Sequence, residues 1–312
     1  MSDKDLVIVG GGPAGLTAAI YARRALLDAV LVEQEALGGQ VILTNEVDNY
    51  PGVPQTDGFS LSDAMQKQAV DLGADIEMTD VSSIKREADG RFSVTTATNS
   101  YMVKTVILAT GATPRPAGFE GEDKYSGHGI SYCATCDGMF YRGKQVFVVG
   151  GGNSACEEAL FLTRFADKVT LIVRKDHLRA QASVAKRLDE NPKISVRYLT
   201  SIVKVEGGDL PKDITFRNNE TGEQTTESYQ EGTFGVFVFV GRLPATDLVK
   251  GLVKLDERGY VIADERMQTN VPGLFVAGDV RQKTLRQIVT ATADGACAAN
   301  SVSAYLGQPV EG

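Results

Sequence analysis

Two stretches of the chain repeat one pattern of apolar and polar positions. In the first, the apolar run Leu6–Val9 predicts a buried parallel strand and leads directly into the glycine-rich loop Gly10–Gly15. Helix-forming residues at helical spacing follow over Leu16–Arg24, and a second β-branched run, Ala29–Val32, ends at Glu33. The order strand, glycine loop, helix, strand and acid predicts a dinucleotide-binding unit rather than a glycine-rich turn without a ligand.

Each glycine of this G-x-G-x-x-G loop has a separate role. Gly10 permits the tight turn, Gly12 lets the backbone approach a pyrophosphate, and Gly15 lets the helix pack close to the strand. The helix N-terminus offers free N–H groups and the positive end of its dipole to the phosphates. Glu33 follows at the distance where an acid accepts hydrogen bonds from a ribose diol, so the loop suits FAD or NAD.

The same pattern recurs about 140 residues later. The apolar run Gln145–Val149 predicts a strand, Gly150–Ala155 is the loop, Cys156–Phe165 is the expected helix, and Lys168–Val173 is the next strand. Alanine stands at the third glycine position, which the pattern accepts. The chain therefore predicts a second dinucleotide-binding unit.

The second repeat ends in basic residues where the first ends in an acid. Arg174 and Lys175 follow the strand, and Arg179 comes four residues after Lys175. Basic side chains at this place favour a 2′-phosphate through charge-assisted hydrogen bonds, so the second unit suits NADP; the alternative is a solvated helix start. A flavin accepts hydride from NADPH, and the pairing of the two units indicates an oxidoreductase.

Composition narrows the class of protein further. The 312 residues suffice for about two domains. The 33 glycines make up about 11% of the residues, whereas ~7% is usual. The net charge of −8 argues against a nucleic-acid-binding surface, which is usually basic. No apolar stretch approaches the ~18 residues of a membrane span, and the first residues do not follow the pattern of a signal peptide. We therefore expect a cytoplasmic protein that binds neither nucleic acid nor membrane.

Two of the four cysteines form a C-x-x-C pair, Cys133 and Cys136, a known redox arrangement. A zinc site would need two further ligands at similar spacing, so no metal is expected. The isolated Cys156 and Cys297 are predicted to be buried, inert thiols. Asp137 follows the pair directly and is placed to handle the proton of thiol exchange, although it could also be an ordinary acid of a turn.

These motifs resemble the low-molecular-weight bacterial thioredoxin reductases, and the resemblance covers essentially the whole chain. It is carried by the two glycine loops, by the run Cys-Ala-Thr-Cys-Asp at 133–137 and by Gly278-Asp279. It implies an α/β fold of two Rossmann-like dinucleotide-binding domains. The NADPH domain, 115–244 with the redox pair, would be inserted into a discontinuous FAD domain, 1–114 and 245–312. A homodimer and a thioredoxin as protein substrate are also implied.

The resemblance also assigns binding residues for the two cofactors, FAD and NADPH. For FAD the expected residues are Gly10, Gly12, Pro13, Ala14, Gly15, Glu33, Gly39, Gln40, Asn49, Thr110, Gly111, Gly278, Asp279, Arg286 and Gln287. For NADPH they are Gly150, Gly152, Asn153, Ser154, Ala155, Arg174, Lys175 and Arg179. The family commonly has His-Arg-Arg where this chain has Val173-Arg174-Lys175; two cations remain, so we expect NADPH to be kept.

The family mechanism implies that electrons pass from NADPH through FAD to a Cys133–Cys136 disulfide. Cys136 would be the thiol near the flavin, Asp137 would handle a proton, and the NADPH domain would rotate. Cys133 would then attack the disulfide of a thioredoxin, and Cys136 would resolve the mixed disulfide. Two alternatives stay open: a ferredoxin-dependent or oxygen-dependent flavin thiol oxidoreductase of the same fold, and a non-catalytic redox-sensing flavoprotein.

Overall fold

The protein is described by a computed structural model covering residues 2–44 and 47–307. Its strands, in chain order, are β1 (Ser2–Val9), β2 (Ala29–Glu33), β3 (Asp75–Met78), β4 (Val81–Arg86), β5 (Phe92–Thr96), β6 (Ser100–Leu108), β7 (Ala112–Pro114), β8 (Ile130–Ser131), β9 (Gln145–Val149), β10 (Lys168–Ile172), β11 (Ile194–Arg197), β12 (Thr200–Gly207), β13 (Pro211–Asn218), β14 (Gln224–Ser228), β15 (Phe234–Val238), β16 (Arg242–Pro244) and β17 (Leu274–Val276). Its α-helices are α1 (Pro13–Arg24), α2 (Gly58–Asp71), α3 (Ala134–Asp137), α4 (Asn153–Leu162), α5 (Ala182–Asp189) and α6 (Ile288–Tyr305). Short 3₁₀ helices lie at Gly39–Leu43, Gly138–Tyr141, Asp247–Val249 and Gly278–Val280.

The chain divides into two compact units. Unit 1 consists of Met1–Thr113 and Leu243–Gly312, and unit 2 is Pro114–Arg242. Unit 2 is therefore continuous in sequence and interrupts unit 1. The two chain segments at the crossings, β7 and β16, form a two-stranded sheet.

The central sheet of unit 1 has the strand order β3-β2-β1-β6-β5-β4, and β17 pairs with the C-terminal half of β6. Strands β3, β2, β1, β6 and β17 are parallel, whereas β4 and β5 continue from β6 as an antiparallel meander. Alternate residues of β1 enter different cores, with Leu6 and Ile8 on one face and Val7 and Val9 on the other. Because both faces are covered, the strand is apolar throughout, as its sequence predicts.

Helices α1 and α6 pack closely on one face of this sheet because small residues line their contact. A Cβ added at Gly295 would lie 2.1 Å from the carbonyl oxygen of Ala14, so only glycine fits there. Ala18, Ala298 and Ala299 are also fully or almost fully buried in this core. The 18 residues of α6 make it a long helix. Within the described residues, no helix combines the length and apolar character that crossing a bilayer requires.

Unit 2 is built on a parallel sheet of order β11-β10-β9-β15-β8, beside a separate antiparallel sheet, β12-β13-β14. Val146 and Val148 of β9 join the core under α4, whereas Phe147 points to the other face and contacts Phe216 and Phe234. The strand at 145–149 is confirmed with the predicted bounds.

The environments of the two free cysteines differ from each other. Cys156 is fully buried in α4, which confirms the prediction of a core thiol. The same prediction for Cys297 is wrong, because this side chain is exposed on α6. Helix α6 buries the face that contains Gly295, Ala298 and Val302, and Cys297 lies outside that face. Alanines and glycine surround Cys297 in the sequence, so hydrophobic periodicity did not reveal which face is buried.

Candidate active site

The residues predicted for the first dinucleotide gather at one edge of the unit 1 sheet. Strands β2, β1, β6 and β17 are parallel neighbours, and their carboxyl ends lie at the same edge. The predicted residues come at or directly after these strand ends: Glu33, the loop Gly10–Gly15, Thr110–Gly111 and Gly278–Asp279. Ligands of open α/β sheets bind at this edge.

The three motif glycines of the first loop, Gly10, Gly12 and Gly15, have different roles. Gly10 has φ +108°, and a Cβ there would lie 2.4 Å from the Ala109 carbonyl oxygen; a Cβ on Gly15 would lie 1.8 Å from the Gly10 carbonyl oxygen. Gly12, the N-cap of α1, has φ −72°, and a Cβ there would meet no atom within 4 Å. The polypeptide therefore needs glycine at positions 10 and 15 but not at position 12. The open space at this helix N-terminus fits a pyrophosphate.

The carboxylate of Glu33 is held in place at the end of β2. Its Oε2 accepts a hydrogen bond from the Gly11 N–H at 2.6 Å, and its Oε1 accepts one from the Glu35 N–H at 2.9 Å. The Gly38 N–H donates to the Gly11 carbonyl oxygen at 2.8 Å, which attaches the next loop. Each carboxylate oxygen keeps capacity to accept a further hydrogen bond, as binding to a ribose diol requires.

The next two predicted segments are connected to each other and to the first loop. A Cβ added at Gly39 would lie 3.3 Å from the Gly12 Cα, so this loop passes close to the first one. Gln40 Nε2 donates to the Ala112 carbonyl oxygen at 2.8 Å. Ala112 directly follows Thr110–Gly111, the turn after β6. These residues therefore lie together.

Asn49 and Gln287 are far apart in sequence but adjacent in space. Asn49 Nδ2 donates to Gln287 Oε1 at 3.1 Å. Gln287 is the N-cap of α6 and forms a capping box with Thr290. The start of α6, which the resemblance assigned to the flavin, is thereby joined to the loop that contains Asn49.

The second segment that the resemblance assigned to the flavin packs against the start of α1. Gly278 has φ +78°, and a Cβ there would lie 2.9 Å from the Ala14 Cβ. Asp279 follows in the 3₁₀ helix Gly278–Val280, and its carbonyl oxygen accepts a hydrogen bond from Arg286 Nε at 3.4 Å. The guanidinium of Arg286 lies 4.0 Å from the ring centroid of Tyr260.

A buried ion cluster supports this turn, and the sequence analysis did not find it. Asp294 is 5% exposed and accepts hydrogen bonds from the Gly278 N–H at 3.1 Å, from Arg281 Nε at 2.9 Å and from Lys283 Nζ at 2.7 Å. The signal in the sequence is a single acid among the small apolar residues of α6. A buried charge needs such partners, so the cluster fixes the Gly278 turn.

The second glycine loop repeats the geometry of the first. Gly150 has φ +146°, and a Cβ there would lie 2.6 Å from a main-chain oxygen, whereas a Cβ on Gly152 would meet no atom within 4 Å. Gly152 is the N-cap of α4, and Asn153–Ala155 form its first turn. Asn153 Oδ1 accepts a hydrogen bond from the Gln181 N–H at 2.7 Å. The open position again fits a pyrophosphate.

The basic segment lies directly beside this loop. The Arg179 N–H donates to the Gly151 carbonyl oxygen at 2.7 Å, and Arg174 and Lys175 follow β10, the neighbour of β9. All three basic side chains are exposed, and within the described part of the chain their charged groups form no ion pair. They are therefore available to a phosphate group bound at the edge of the sheet.

The predicted redox pair is confirmed as a disulfide. Cys133 and Cys136 are bonded, with their Cα atoms 5.3 Å apart. They follow β8, so they lie at the carboxyl edge of the unit 2 sheet, the same edge as the second glycine loop. Cys133 is the N-cap of the short helix α3, and its Sγ accepts the Cys136 N–H at 3.2 Å. A donor aimed at this sulfur favours its thiolate when the disulfide is reduced.

Ser131 organises the residues around the disulfide, and no sequence signal identified it. Its hydroxyl accepts from the Cys133 N–H at 3.0 Å, and its single proton is shared between the Cys133 carbonyl oxygen, at 3.2 Å, and the Asp137 carboxyl. Burial raises the pKa of Asp137, and a hydrogen bond from Ser131 partly counteracts the rise. The Asp137 N–H donates to the Cys133 carbonyl oxygen at 3.1 Å. This carboxyl is therefore able to hold a proton at a less acidic pH than an exposed aspartate.

Comparison with known proteins agrees with this geometry. The family model described as pyridine nucleotide-disulphide oxidoreductase matches residues 4–295. The chain is 46% identical over 307 residues to a thioredoxin reductase of Peptoclostridium acidaminophilum, covering 97% of this chain and 96% of the relative. It is 44% identical over 306 residues to that of Treponema pallidum, covering 98% of each.

Solved structures of thioredoxin reductases are also similar to this chain. The crystal structure of thioredoxin reductase from Streptococcus pyogenes superposes with a TM-score of 0.90 at 42% identity, covering 98% of each chain. The thioredoxin reductase from Giardia duodenalis gives a TM-score of 0.90 at 34% identity, covering 99% of this chain and 100% of that one. The α/β fold with two dinucleotide-binding domains is thereby confirmed. The chain belongs to the pyridine nucleotide-disulphide oxidoreductase family, within its low-molecular-weight thioredoxin reductases.

Proposed function

We propose that this protein reduces thioredoxin with electrons from NADPH, with FAD bound in unit 1 and NADPH bound in unit 2. The observation that supports this most directly is the position of the Cys133–Cys136 disulfide. It lies at the same sheet edge as a glycine loop followed by Arg174 and Lys175. A redox disulfide and a site suited to a 2′-phosphate thus belong to one unit.

The residues of unit 1 suit FAD. When bound, FAD and NADPH supply hydride transfer and two-electron chemistry. The α1 N-terminus at Gly12 would hold the pyrophosphate, and Glu33 would accept hydrogen bonds from the adenosine ribose. Asp279, at the end of β17, would bind the ribityl chain. In unit 2, Gly152 would face the NADPH pyrophosphate.

The dithiol then performs two exchange steps. The Cys133 thiolate attacks one sulfur of the thioredoxin disulfide, forming a mixed disulfide and releasing one substrate thiolate. The Cys136 thiolate attacks Cys133 Sγ, releasing the second substrate thiolate and restoring the Cys133–Cys136 disulfide. Asp137 holds or delivers a proton taken up by the departing thiolates. Two electrons from NADPH regenerate the dithiol.

Cofactor analysis and steady-state kinetics test this proposal. The purified protein should be yellow, release FAD rather than FMN on denaturation, and oxidise NADPH only when an oxidised thioredoxin is present. Reduction by ferredoxin and not by NADPH would favour the ferredoxin-dependent alternative. A protein that keeps both cofactors but turns over no disulfide would instead be a redox sensor.

The double substitution Arg174→Ala/Lys175→Ala should raise the KM for NADPH by roughly 10- to 100-fold, because charge-assisted hydrogen bonds to a phosphate are lost. The KM for NADH should change little, since NADH has no 2′-phosphate. Lys186→Ala/Arg187→Ala is a matched control that removes two exposed positive charges from α5 of the same unit. An equal effect on both nucleotides would show that the segment has only a structural role.

The substitution Asp137→Asn should slow disulfide turnover by about 10²-fold or more, the usual contribution of a proton-transfer group. The same substitution should affect stability in a way that depends on pH. The pKa of Asp137 is higher in the folded than in the unfolded protein, so the parent loses stability as pH rises from the unfolded-state pKa to the folded-state pKa. The asparagine variant does not ionise and escapes this loss. The Tm of the variant relative to the parent should therefore increase from pH 4 to pH 8. A relative Tm independent of pH would contradict the raised pKa.

We also expect a homodimer that works in the cytoplasm, where a dithiol can be kept reduced. Unit 1 exposes large apolar side chains on α1, on α2 and just after these helices: Tyr21, Leu26, Phe59, Val70 and Leu72. Such side chains suit a subunit interface. Sedimentation equilibrium would test the dimer, and a monomer at micromolar concentration would contradict it.

A further inference from the structure

Unit 2 contains a buried carboxylate that the proposed chemistry does not use. Glu122 is 3% exposed. Its Oε1 accepts hydrogen bonds from the Ala117 N–H at 2.9 Å and from the Tyr132 hydroxyl at 2.8 Å, and its Oε2 accepts one from the Gly118 N–H at 2.6 Å. A buried charge is costly unless it is hydrogen-bonded, and these three donors offset that cost.

The three donors come from two functionally distinct segments. Ala117 and Gly118 lie just after Pro114, where the chain enters unit 2. Tyr132 directly precedes Cys133, the attacking thiol of the proposed exchange. Burial and the bond to Glu122 raise the pKa of the Tyr132 hydroxyl, so it remains a donor at any physiological pH.

We infer that Glu122 is a positioning residue for the redox disulfide, acting through Tyr132. Ser131, the residue before Tyr132, is hydrogen-bonded to the main chain of Cys133, the residue after it. Glu122 accepts a hydrogen bond from the Tyr132 side chain. The carboxylate also binds the main chain of the entry segment. The position of Cys133 is thereby tied to the segment through which the chain enters unit 2. This role rests on the proposed function only in that the disulfide is the reactive group.

The positioning role has a chemical consequence at Cys133. The Sγ of this residue accepts the Cys136 N–H, a contact that favours the thiolate after reduction. If the Tyr132 anchor is removed, the segment before Cys133 gains freedom and this contact weakens. The thiol pKa of Cys133 should then rise, and its alignment for attack should worsen.

Tyr132→Phe tests this role with little risk to folding, because it removes one hydroxyl and leaves Glu122 its two main-chain donors. Turnover with thioredoxin should fall roughly tenfold, within the ~100-fold that a misplacement of about 1 Å can cost. In a single-turnover experiment without thioredoxin, reduction of the bound flavin by NADPH should keep its parental rate. Tyr125→Phe is the matched control: Tyr125 is a buried tyrosine of the same unit whose hydroxyl donates to the Gly207 carbonyl oxygen at 2.9 Å.

A labelling measurement separates this inference from the proposed function. The protein is reduced with dithiothreitol and alkylated with iodoacetamide across a pH series, and labelling at Cys133 is followed by peptide mass spectrometry. The midpoint of the Cys133 profile should move to higher pH in Tyr132→Phe and stay in place in Tyr125→Phe. The measurement requires neither NADPH nor thioredoxin. A parent that fails to reduce thioredoxin would overturn the proposed function and leave this test intact.

A double-mutant cycle identifies the partner of Tyr132. In a Glu122→Met background, which keeps the side-chain length but leaves the Tyr132 hydroxyl without an acceptor oxygen, Tyr132→Phe should have little further effect on the Cys133 profile, because the two residues act as one pair. Equal profiles for the parent and Tyr132→Phe would overturn the positioning role. So would a full effect of Tyr132→Phe in the Glu122→Met protein, or a change of the same size in Tyr125→Phe.

Discussion

Cys136→Ser should trap the protein on its substrate. The Cys133 thiolate can still attack a disulfide, but no thiol remains to resolve the product, so a mixed disulfide accumulates. Catalytic turnover should fall by a factor on the order of 10⁴ or more, as for the loss of a covalent nucleophile. The measurement uses a thioredoxin with a single active cysteine, activated by a chromogenic thiol. One equivalent of that thiol should be released, and non-reducing electrophoresis should show the cross-linked product.

The reciprocal variant distinguishes the roles of the two cysteines. Cys133→Ser should also abolish turnover but form little cross-linked product, because it removes the sulfur that accepts a main-chain N–H and whose thiolate is thereby favoured. Cys297→Ser removes an exposed thiol outside the pair and should match the parent in both assays. Efficient trapping by Cys133→Ser and none by Cys136→Ser would exchange the roles. Full turnover by both would remove the pair from the mechanism.

Gly12→Ala and Gly152→Ala should impair different cofactors. In each case the added Cβ meets no protein atom within 4 Å, and the backbone φ, −72° at Gly12 and −94° at Gly152, suits alanine. The methyl group would instead occupy the space proposed for a pyrophosphate. Overpacking of this kind costs roughly 1–3 kcal/mol, which is about a 5- to 150-fold loss of affinity. Gly12→Ala should lose FAD, and Gly152→Ala should raise the Kd for NADPH while keeping FAD.

Each variant is the control for the other, since both change the N-cap of a Rossmann helix in the same way. FAD content from absorbance and NADPH affinity from fluorescence titration would measure the two effects. The Tm of each apoprotein should stay close to that of the parent, because no protein contact is disturbed. Parental cofactor affinity in both variants would show that the open space is not a phosphate site.

The first residues of the helices show that a local sequence pattern predicts a helix more accurately than it predicts where the helix begins. The sequence indicated helices from Leu16 and Cys156, but α1 begins at Pro13 and α4 at Asn153. Apolar periodicity detects the buried middle of a helix, whereas its start depends on the N-cap. In both units the second glycine of the G-x-G motif, Gly12 or Gly152, is that cap, so the helix begins inside the loop.

The wrong prediction for Cys297 has a different physical origin. Its neighbours in α6 are small, so both faces of the helix look alike in sequence. The close approach of α1 at Gly295 decides which face is buried. Asp294 illustrates the same limit, because it lies in the buried face as a charged residue and is stabilised by Arg281 and Lys283.

Local residue patterns were enough to predict which chemical groups this chain contains and their order along it. Each of these groups belongs to a short-range pattern formed by residues close together in the chain. The patterns are the two glycine loops, the acid at Glu33, the basic residues after the second repeat and the C-x-x-C pair. The distant residues that support these groups can be identified only after the chain has folded. The effect of Ser131 on the pKa of Asp137 and the hydrogen bond from Tyr132 to Glu122 both depend on burial and on hydrogen-bond direction, which residue spacing does not encode.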